Sequence, residues 1–295
     1  MSESSLKIQP NQANQVTLTH LNNVQVMGIL NVTPDSFSDG GKFSHFDRAF
    51  RQVESMIDNG VDIIDIGGES TRPGAIDVSE KDEIARVIPL LKAIKSRFDT
   101  CVSIDTSKAA VMSEAITYGA DMINDVRALQ NEDCLDVIAQ SNVSVCLMHM
   151  QGMPRTMQEN PHYKNIINDI LIFFEQRIRN CEQKGIKKER LILDPGFGFG
   201  KTLEHNYQML AQLSLFKKLN LPLLVGTSRK SMLGQLLNRD VSQRLAGSLT
   251  TAIVAVQQGA SIIRVHDVAE TVDAIKILTE VAKYKAEVEI VERLV

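Results

Sequence analysis

The sequence predicts an α/β protein, a single (β/α)8 barrel with its active site at the C-terminal ends of the strands. Short apolar runs rich in Ile, Val and Leu alternate with longer amphipathic segments along the chain. About eight such pairs fill roughly 250 residues, the usual size of a closed barrel. Polar residues gather just after the apolar runs, where a barrel enzyme carries its chemistry.

The predicted strands are short and apolar throughout, as expected where helices cover both faces of a parallel sheet. In chain order they cover residues 26–30, 63–66, 102–104, 122–124, 143–148, 191–193, 221–225 and 262–265. The predicted helices cover residues 46–59, 80–97, 108–118, 134–140, 166–184, 207–219, 245–258 and 271–285. Because no linker-like segment divides the chain, we expect one barrel domain at residues 21–290, preceded by an accessory segment at residues 1–20.

Composition narrows the class of function. A chain of 295 residues with 43% hydrophobic residues can bury a large core, and its net charge of -4 argues against a general nucleic-acid or membrane-surface binder. Its apolar runs are too short to span a bilayer, and its first twenty residues lack the core of a signal peptide. We therefore expect a cytoplasmic protein whose four cysteines, none in a C-x-x-C pair, are reduced and bind no zinc.

Polar side chains lie at or just past the end of each predicted strand. In a parallel barrel these ends share one rim, so the residues are expected to converge there. They are Asn31, Glu69 to Arg72, Asp105 to Ser107, Asn124, Asp125, His149, Asp194, Ser228 to Lys230, Arg264 and His266.

Two polar loops follow the first two strands. Residues 27–41 read M-G-I-L-N-V-T-P-D-S-F-S-D-G-G, an apolar strand that opens into a loop of amide, hydroxyl and carboxylate groups. Residues 69–75 read E-S-T-R-P-G-A, and their Pro and Gly predict a shaped loop rather than a plain connecting turn. Both loops can close over bound substrates.

Asp105, Asn124 and Asp194 end three different strands in otherwise apolar surroundings. Buried carboxylates are costly unless they meet donors, and a flat heterocycle with amino and ring N–H groups supplies them. The alternative is that both aspartates cap the helices that follow. The presence of Lys230 favours the ligand-binding interpretation.

The segment D-P-G-F-G-F-G-K at residues 194–201 alternates glycine with Phe197 and Phe199. The glycines allow left-handed backbone and close approach to a ligand, and at least one ring can lie over a planar ligand. The spacing fits neither a P-loop nor a dinucleotide-binding motif. The alternative is a flexible turn with one core phenylalanine.

Two further segments suggest a site for anionic groups. Residues 226–231, G-T-S-R-K-S, resemble an anion-binding turn, and the cations Arg229 and Lys230 favour a charged substrate over a Schiff-base lysine. Arg264 and His266 project from the same side of the last strand. Together with Asn31 on the neighbouring first strand they suit a diphosphate and its Mg²⁺, with Asn31 as sole direct protein ligand.

In order and joint presence these motifs resemble the bacterial dihydropteroate synthase family, from Val24 almost to the C-terminus. The matching segments are residues 27–41, D-I-G-G-E-S-T-R-P-G-A at 65–75, S-I-D-T at 103–106, I-N-D at 123–125, L-M-H-M-Q-G at 147–152, D-P-G-F-G-F-G-K at 194–201, S-R-K-S at 228–231 and R-V-H-D at 264–267.

The resemblance implies roles for individual residues. The pterin ring would be held by Asp105, Asn124, Met148, Asp194, Phe199, Gly226 and Lys230. The p-aminobenzoate site would be formed by Thr71, Arg72, Pro73, Phe199 and Ser228. The diphosphate would meet Asn31, Thr71, Arg264 and His266, with Mg²⁺ on Asn31. The catalytic group would comprise Asp39, Asp105, Asp194, Lys230, Arg264 and His266, where Asp39 shields or stabilises developing positive charge.

The reaction implied by the resemblance is a step of folate biosynthesis. It joins 6-hydroxymethyl-7,8-dihydropterin diphosphate to p-aminobenzoate and yields 7,8-dihydropteroate and diphosphate. We expect a dissociative substitution without a covalent enzyme intermediate, because an aryl amine is a weak nucleophile. The resemblance also implies a homodimer and inhibition by sulfonamides.

Three other functions would use only part of these motifs. A pterin- or folate-dependent methyltransferase on the same barrel would need neither the S-R-K-S turn nor the R-V-H set. A non-catalytic pterin-binding protein would not need Asn31, Thr71, Arg72 and His266, which are all present. A lysine-dependent aldolase leaves the two phenylalanine–glycine repeats unexplained.

Overall fold

A computed structural model describes residues 24–32, 42–70, 77–152, 157–158 and 160–292, without the side chains of residues 42–45 and 283–292. The expected accessory segment at residues 1–20 lies outside these ranges. Among the described residues, no helix combines the length and apolarity needed to cross a membrane.

Eight parallel strands form the sheet, in the spatial order β6-β5-β4-β3-β2-β1-β8-β7. They are β1 Gln25–Asn31, β2 Ile63–Gly67, β3 Cys101–Asp105, β4 Met122–Asp125, β5 Ser144–Met148, β6 Leu191–Asp194, β7 Leu224–Val225 and β8 Ile262–Val265. A single bridge between Leu193 and Leu223 joins β6 to the segment before β7 and closes the barrel. The predicted (β/α)8 fold and all eight predicted strands are therefore confirmed.

Nine α-helices lie around the sheet in the described part of the chain. They are α1 Lys42–Asp58, α2 Glu80–Arg97, α3 Ala109–Thr117, α4 Cys134–Ala139, α5 Ile166–Gln183, α6 Leu203–Ala211, α7 Ser231–Leu237, α8 Leu245–Gln257 and α9 Val268–Glu292.

Two predictions about the helices were wrong. The segment predicted as one helix at residues 207–219 is α6 followed by a 3-10 turn, Leu213–Leu219. The helix α6 begins earlier than predicted because the side chain of Thr202 accepts a hydrogen bond from the backbone of His205, while the His205 ring accepts one from Thr202. The short α7 was not predicted, because seven residues are too few to show a helical period.

The interior of the barrel is built in layers, because alternate residues of a strand point inward. One layer is apolar and takes one residue from each strand: Met27, Ile63, Cys101, Met122, Cys146, Ile192, Leu224 and Ile262. Two residues further along each strand come Ile29, Asp65, Ser103, Asn124, Met148, Asp194, Gly226 and Arg264. The second layer is mostly polar. The apolar layer lies beneath it and forms the floor of the barrel.

A larger apolar core lies between the barrel and its helices. Cys134 and Cys181 belong to this core, whereas Cys101 and Cys146 belong to the barrel floor. All four cysteines are buried and free, as predicted. Burial raises the pKa of the Cys101 and Cys146 thiols well above the usual range, which suits unreactive side chains.

Candidate active site

The strand ends bring predicted site residues into one row across the rim. In the register of the sheet Asn31 pairs with Gly67, Gly67 with Asp105, and Asp105 with Asn124. A side chain at Gly67 would lie 3.5 Å from Oδ1 of Asn31 and 3.7 Å from Cβ of Asp105. Gly67 therefore lies between the amide of Asn31 and the carboxylate of Asp105, with both at contact distance.

Arg264 links the last strand to the second and third strands across the inside of the barrel. Its Nε donates to Oδ2 of Asp65 at 2.6 Å, and its Nη2 donates to Oδ2 of Asp105 at 2.9 Å. Burial lowers the pKa of the guanidinium, but Asp65 and Asp105 more than offset this and leave the pKa raised. Arg264 therefore stays a cation between two carboxylates.

Asp65 was not predicted as a site residue. It is completely buried, and Oδ2 also accepts a hydrogen bond from Nδ2 of Asn124 at 3.2 Å. In the sequence it stands within the run I-I-D-I-G, which predicts a strand but gives no sign that its one carboxylate faces Arg264. One signal in the sequence could have identified it. Asp65 is two residues from Ile63, so it points into the barrel, and it is the one charged residue of an otherwise apolar strand.

Three of the ionisable groups that are predicted to contact the ligand have shifted pKa values. Burial raises the pKa of Asp105 to about 7, which Arg264 opposes and Asp65 reinforces. Burial also raises the pKa of Asp194, opposed by Lys230. The pKa of Lys230 is lowered to about 8 by burial, against the attraction of Asp194. Groups with pKa values displaced toward neutrality are typical of catalytic sites.

The turn at residues 194–201 combines both interpretations that the sequence left open. Asp194 accepts a hydrogen bond from the backbone of Gly196 at 2.7 Å, so it caps this turn as well as ending β6 in the inward-facing layer. Phe197 is fully buried in the core, whereas the ring of Phe199 is partly exposed. Nζ of Lys230 lies 4.7 Å from the centre of the Phe199 ring and donates to the carbonyl oxygen of Phe197.

The glycines of this turn adopt the predicted left-handed backbone, but their close contacts are with the protein itself. The φ angles are 71° at Gly196 and 62° at Gly200. A Cβ at Gly196 would lie 2.0 Å from the carbonyl oxygen of His149, and one at Gly200 would lie 2.5 Å from that of Gln151. These two glycines therefore allow the turn to pack against the segment after β5, and their close approach to a ligand stays a prediction.

Lys201, at the end of the same turn, was also missed by sequence reasoning. Its buried Nζ lies 3.1 Å from Nδ1 of His149 and donates to the carbonyl oxygen of Phe199 at 3.0 Å. Burial, reinforced by Lys201, lowers the pKa of His149 to about 2, so this histidine is neutral. Lys201 fastens the turn to the end of β5 and thereby helps to position Phe199.

The two neighbouring cations after β7 have separate roles. Arg229 forms a two-pronged ion pair through Nε and Nη2 with the carboxylate of Asp267. The expectation that Arg229 and Lys230 jointly hold a charged substrate is therefore wrong for Arg229, whose charge is already paired. Ser228 and His266 are adjacent, with Oγ 3.0 Å from the ring Nδ1.

The predicted site residues Asp39, Thr71, Arg72 and Pro73 lie outside the described residues. The residues that flank the second loop are described: Glu69 accepts from the backbone of Val78 at 2.7 Å and from Lys108 at 2.7 Å. Lys108 also pairs with the buried Glu83 at 2.5 Å. Among the described residues no group of three or more His, Cys, Asp or Glu side chains is arranged to hold a metal ion.

Comparison with known proteins gives a consistent result. Residues 27–266 match the family model described as pterin binding enzyme. Dihydropteroate synthase from Haemophilus influenzae is 54% identical over 86% of this chain and 92% of its own length, and that from Escherichia coli K12 is 54% identical over 90% and 94%. The Yersinia pestis dihydropteroate synthase in complex with a sulfonamide drug has a TM-score of 0.86 and 53% identity, covering 91% of this chain and 98% of that one.

Proposed function

The chain belongs to the dihydropteroate synthase family of pterin-binding enzymes, and from that membership we propose how its residues divide the reaction among them. The enzyme is a transferase of folate biosynthesis. It joins 6-hydroxymethyl-7,8-dihydropterin diphosphate to p-aminobenzoate and forms 7,8-dihydropteroate and diphosphate. The observation that carries the assignment of residues is the Arg264 guanidinium between Asp65 and Asp105, beside Asn124, at the rim of the barrel.

Asp105, Asn124 and Asp194 recognise the polar edge of the pterin. Two carboxylates and an amide at the ends of β3, β4 and β6 match the amino and ring N–H groups of a flat heterocycle. The ring of Phe199 and the cation of Lys230 lie beside this edge, 4.7 Å apart. Met148 and Gly226 complete the pterin position, because both belong to the same inward-facing layer.

Arg264, His266 and Asn31 act on the diphosphate, together with Thr71. The side-chain oxygen of Asn31 is a hard neutral ligand that suits Mg²⁺, which takes few protein ligands and keeps waters and phosphate oxygens. Mg²⁺, when bound, neutralises the diphosphate charge. Hydrogen bonding of His266 to Ser228 at 3.0 Å orients the imidazole at the rim.

The substitution is dissociative, because the aryl amine is a weak nucleophile. The bond between the pterin methylene carbon and the diphosphate oxygen breaks first, and its electron pair leaves with the diphosphate. The carboxylates of Asp105 and Asp194 then offset the positive charge that spreads over the reduced pterin. Asp39 adds to this stabilisation from the first loop, and closure of the loops excludes water from the cation.

The p-aminobenzoate position lies above the pterin, toward the mouth. Phe199 and Ser228 supply its wall on the described side, with the ring of Phe199 partly exposed. Thr71, Arg72 and Pro73 of the second loop complete it. In this proposal Lys230 holds the pterin without forming a Schiff base, because the dissociative substitution needs no covalent enzyme intermediate.

One assay tests the proposed function. The protein is incubated with the pterin diphosphate, Mg²⁺ and labelled p-aminobenzoate, and labelled dihydropteroate is measured. Asp194→Asn provides a matched inactive control, because it keeps the shape of the side chain and removes its charge. Pterin binding without incorporation of the label would instead support a methyltransferase or a non-catalytic pterin-binding protein.

The proposal includes a homodimer formed by the last helices. Exposed large apolar side chains occur on α7 and just after it, at Leu236, Leu237 and Val241, and on α9, at Ile277 and Val281. Both helices pack against α8. Exposed apolar surface of this kind is typical of protein interfaces.

Sedimentation velocity tests the dimer. Ile277→Glu is expected to shift the wild-type dimer toward monomer, whereas Ile172→Glu on α5, which is also exposed, is expected to leave it unchanged. A monomeric wild-type protein at micromolar concentration would refute this part of the proposal.

The proposal also includes a cytoplasmic location and small-molecule substrates, with no nucleic-acid or membrane partner. The net charge of -4 supports this, because binders of nucleic acid or anionic membrane surfaces usually carry an excess of positive charge.

A further inference from the structure

Asp65 occupies the centre of the polar layer without facing the open mouth of the site. Its side chain is 0% exposed, whereas the side chains of its neighbours Arg264 and Asp105 are 20% and 12% exposed. A group with no exposed surface does not touch a substrate that enters from the rim. Any effect of Asp65 on the reaction must therefore pass through the side chains that it holds.

Two of those side chains are site residues. Oδ2 of Asp65 accepts from Nε of Arg264 at 2.6 Å and from Nδ2 of Asn124 at 3.2 Å. The other oxygen, Oδ1, is buried and has no hydrogen-bond partner among the described residues. Ser103 on β3 is paired with Asp65 in the register of the sheet, and its hydroxyl is likewise buried without a hydrogen-bond partner among the described residues.

This arrangement costs stability, because a buried carboxylate needs partners for both oxygens. A barrel interior can be filled with branched apolar residues instead. The layer directly below is apolar throughout, with the branched side chain of Ile63 at the equivalent inward position of the same strand. A charge at position 65 therefore needs an explanation beyond packing.

The explanation lies in the geometry of the Arg264 guanidinium. Two carboxylates grip it on different nitrogens, Asp65 at Nε and Asp105 at Nη2. One anion alone leaves the planar group free to turn about its long side chain, whereas two anions from different strands fix both its position and its plane.

We infer that Asp65 is a positioning residue, which fixes the guanidinium of Arg264 in the orientation needed at the departing diphosphate. This inference rests on the proposed function. Asp65 supplies the fixed anion, and Asp105 remains the carboxylate that faces the substrate. The expected consequence is a role of Asp65 in the chemical step, with little part in binding the pterin.

Asp65→Asn tests this inference, since asparagine keeps the shape and one acceptor oxygen for Asn124 but removes the charge that holds Arg264. We expect kcat to fall about 100-fold, the cost of a small misplacement of a catalytic group, with KM for the pterin diphosphate changed less than about threefold. A kcat within about threefold of wild type would overturn the inference. Wild-type turnover in the same assay establishes the proposed function separately, so the two failures are distinguishable.

A matched control separates positioning from general destabilisation. Asp121 is another buried aspartate that pairs with a cation, Lys95 at 2.9 Å, and accepts from the backbone of Val102 at 2.8 Å, but it precedes β4 at the opposite end of the barrel. Asp121→Asn should lower the melting temperature and leave kcat per folded protein unchanged. Equal losses of kcat in both variants would contradict the inference.

A double-mutant cycle keeps the test decisive if Asp65→Asn folds poorly. The variant Asp65→Asn with Arg264→Gln removes both members of the Asp65–Arg264 pair, so neither is left buried without the other, and Asp105 loses Arg264 equally in the double variant and in Arg264→Gln alone. If Asp65 acts through Arg264, the double variant should have the kcat of Arg264→Gln alone, within about threefold. A further drop of tenfold or more in the double variant would show that Asp65 acts independently.

The pH profile supplies a readout that a merely structural role would not move. The charged and titratable groups facing Asp105 are Arg264 on β8, Asp65 on β2, Glu83 on α2, Asp125 on β4, Lys230 after β7 and Cys146 on β5. Removing the like charge of Asp65 should shift the acid limb of kcat/KM to lower pH. An unmoved acid limb would count against coupling between the two carboxylates.

Discussion

Nη2 of Arg264, on the last strand of the barrel, lies 2.9 Å from Oδ2 of Asp105, on the third. This ion pair only partly offsets the cost of burying Asp105, whose pKa remains near 7. Asp105 is therefore expected to change its protonation state near neutral pH.

The first prediction concerns pH. Because the pKa of free-enzyme Asp105 is raised from 3.8 to about 7, its carboxylate forms only as the pH rises through neutrality. The value of kcat/KM for the pterin diphosphate should therefore fall as the pH decreases below about 7. Asp105→Asn should lower the plateau and remove this limb, and a limb that persists in the variant would assign it to another group.

The second prediction separates the two cations after β7. Lys230→Ala should raise KM for the pterin diphosphate about 10- to 100-fold, the worth of a hydrogen bond to a charged group. Arg229→Ala should change KM less than threefold and reduce stability by about 1 kcal/mol, because its guanidinium pairs with Asp267. Steady-state kinetics and urea unfolding of both variants give the comparison.

A covalent role for Lys230 is tested in the same proteins. Borohydride treatment during turnover should leave the mass of the wild-type chain unchanged. A trapped adduct that disappears in Lys230→Ala would establish the Schiff base that we exclude.

The third prediction concerns the turn at residues 194–201. A Cβ at Gly196 would overlap the carbonyl oxygen of His149, at 2.0 Å, and the backbone there is left-handed. Gly196→Ala should cost about 3 kcal/mol or more of unfolding free energy. Gly185→Ala is the matched control, because its φ is 84° but nothing lies within 4 Å of the new Cβ. It should cost only about 1–2 kcal/mol, and equal losses would show that the contact with His149 is easily relieved.

The fourth prediction concerns inhibition. The loop after the second strand has the compact sequence S-T-R-P-G-A, which belongs to the predicted p-aminobenzoate site. We therefore expect sulfonamides to bind in place of p-aminobenzoate and to inhibit the protein. Sulfamethoxazole should compete with p-aminobenzoate, with an inhibition constant comparable to KM for that substrate. An inhibition constant far above this KM would refute the prediction.

The sequence predicted the position of a residue correctly wherever a polar side chain directly follows an apolar strand. Asp105, Asn124 and Asp194 each end an apolar run, and the parallel connection of the strands is enough to bring them to one rim. The architecture follows from the same local patterns, because eight apolar runs separated by helices leave few alternatives to a barrel.

The sequence was uninformative wherever a role depends on a distant partner. Asp65 acquires its role from Arg264, 199 positions further along the chain. Arg229 pairs with Asp267, which lies 38 positions further along the chain. The residues next to Arg229 in the sequence gave no sign of this partner, so the sequence predicted a cation available for an anionic ligand. Lys201 likewise gains its buried partners only when the end of β5 folds against its turn.

The apolar layer beneath the polar layer fills the interior of the barrel below the proposed site, so substrates are expected to enter from the C-terminal ends of the strands. In the proposed assignment, residues of the inner polar layer hold the heterocycle, and residues nearer the rim hold the aryl amine. A chamber of this shape imposes an order of addition, since an amine already seated near the opening would obstruct the heterocycle on its way down. We therefore expect ordered kinetics, in which the pterin diphosphate binds before p-aminobenzoate.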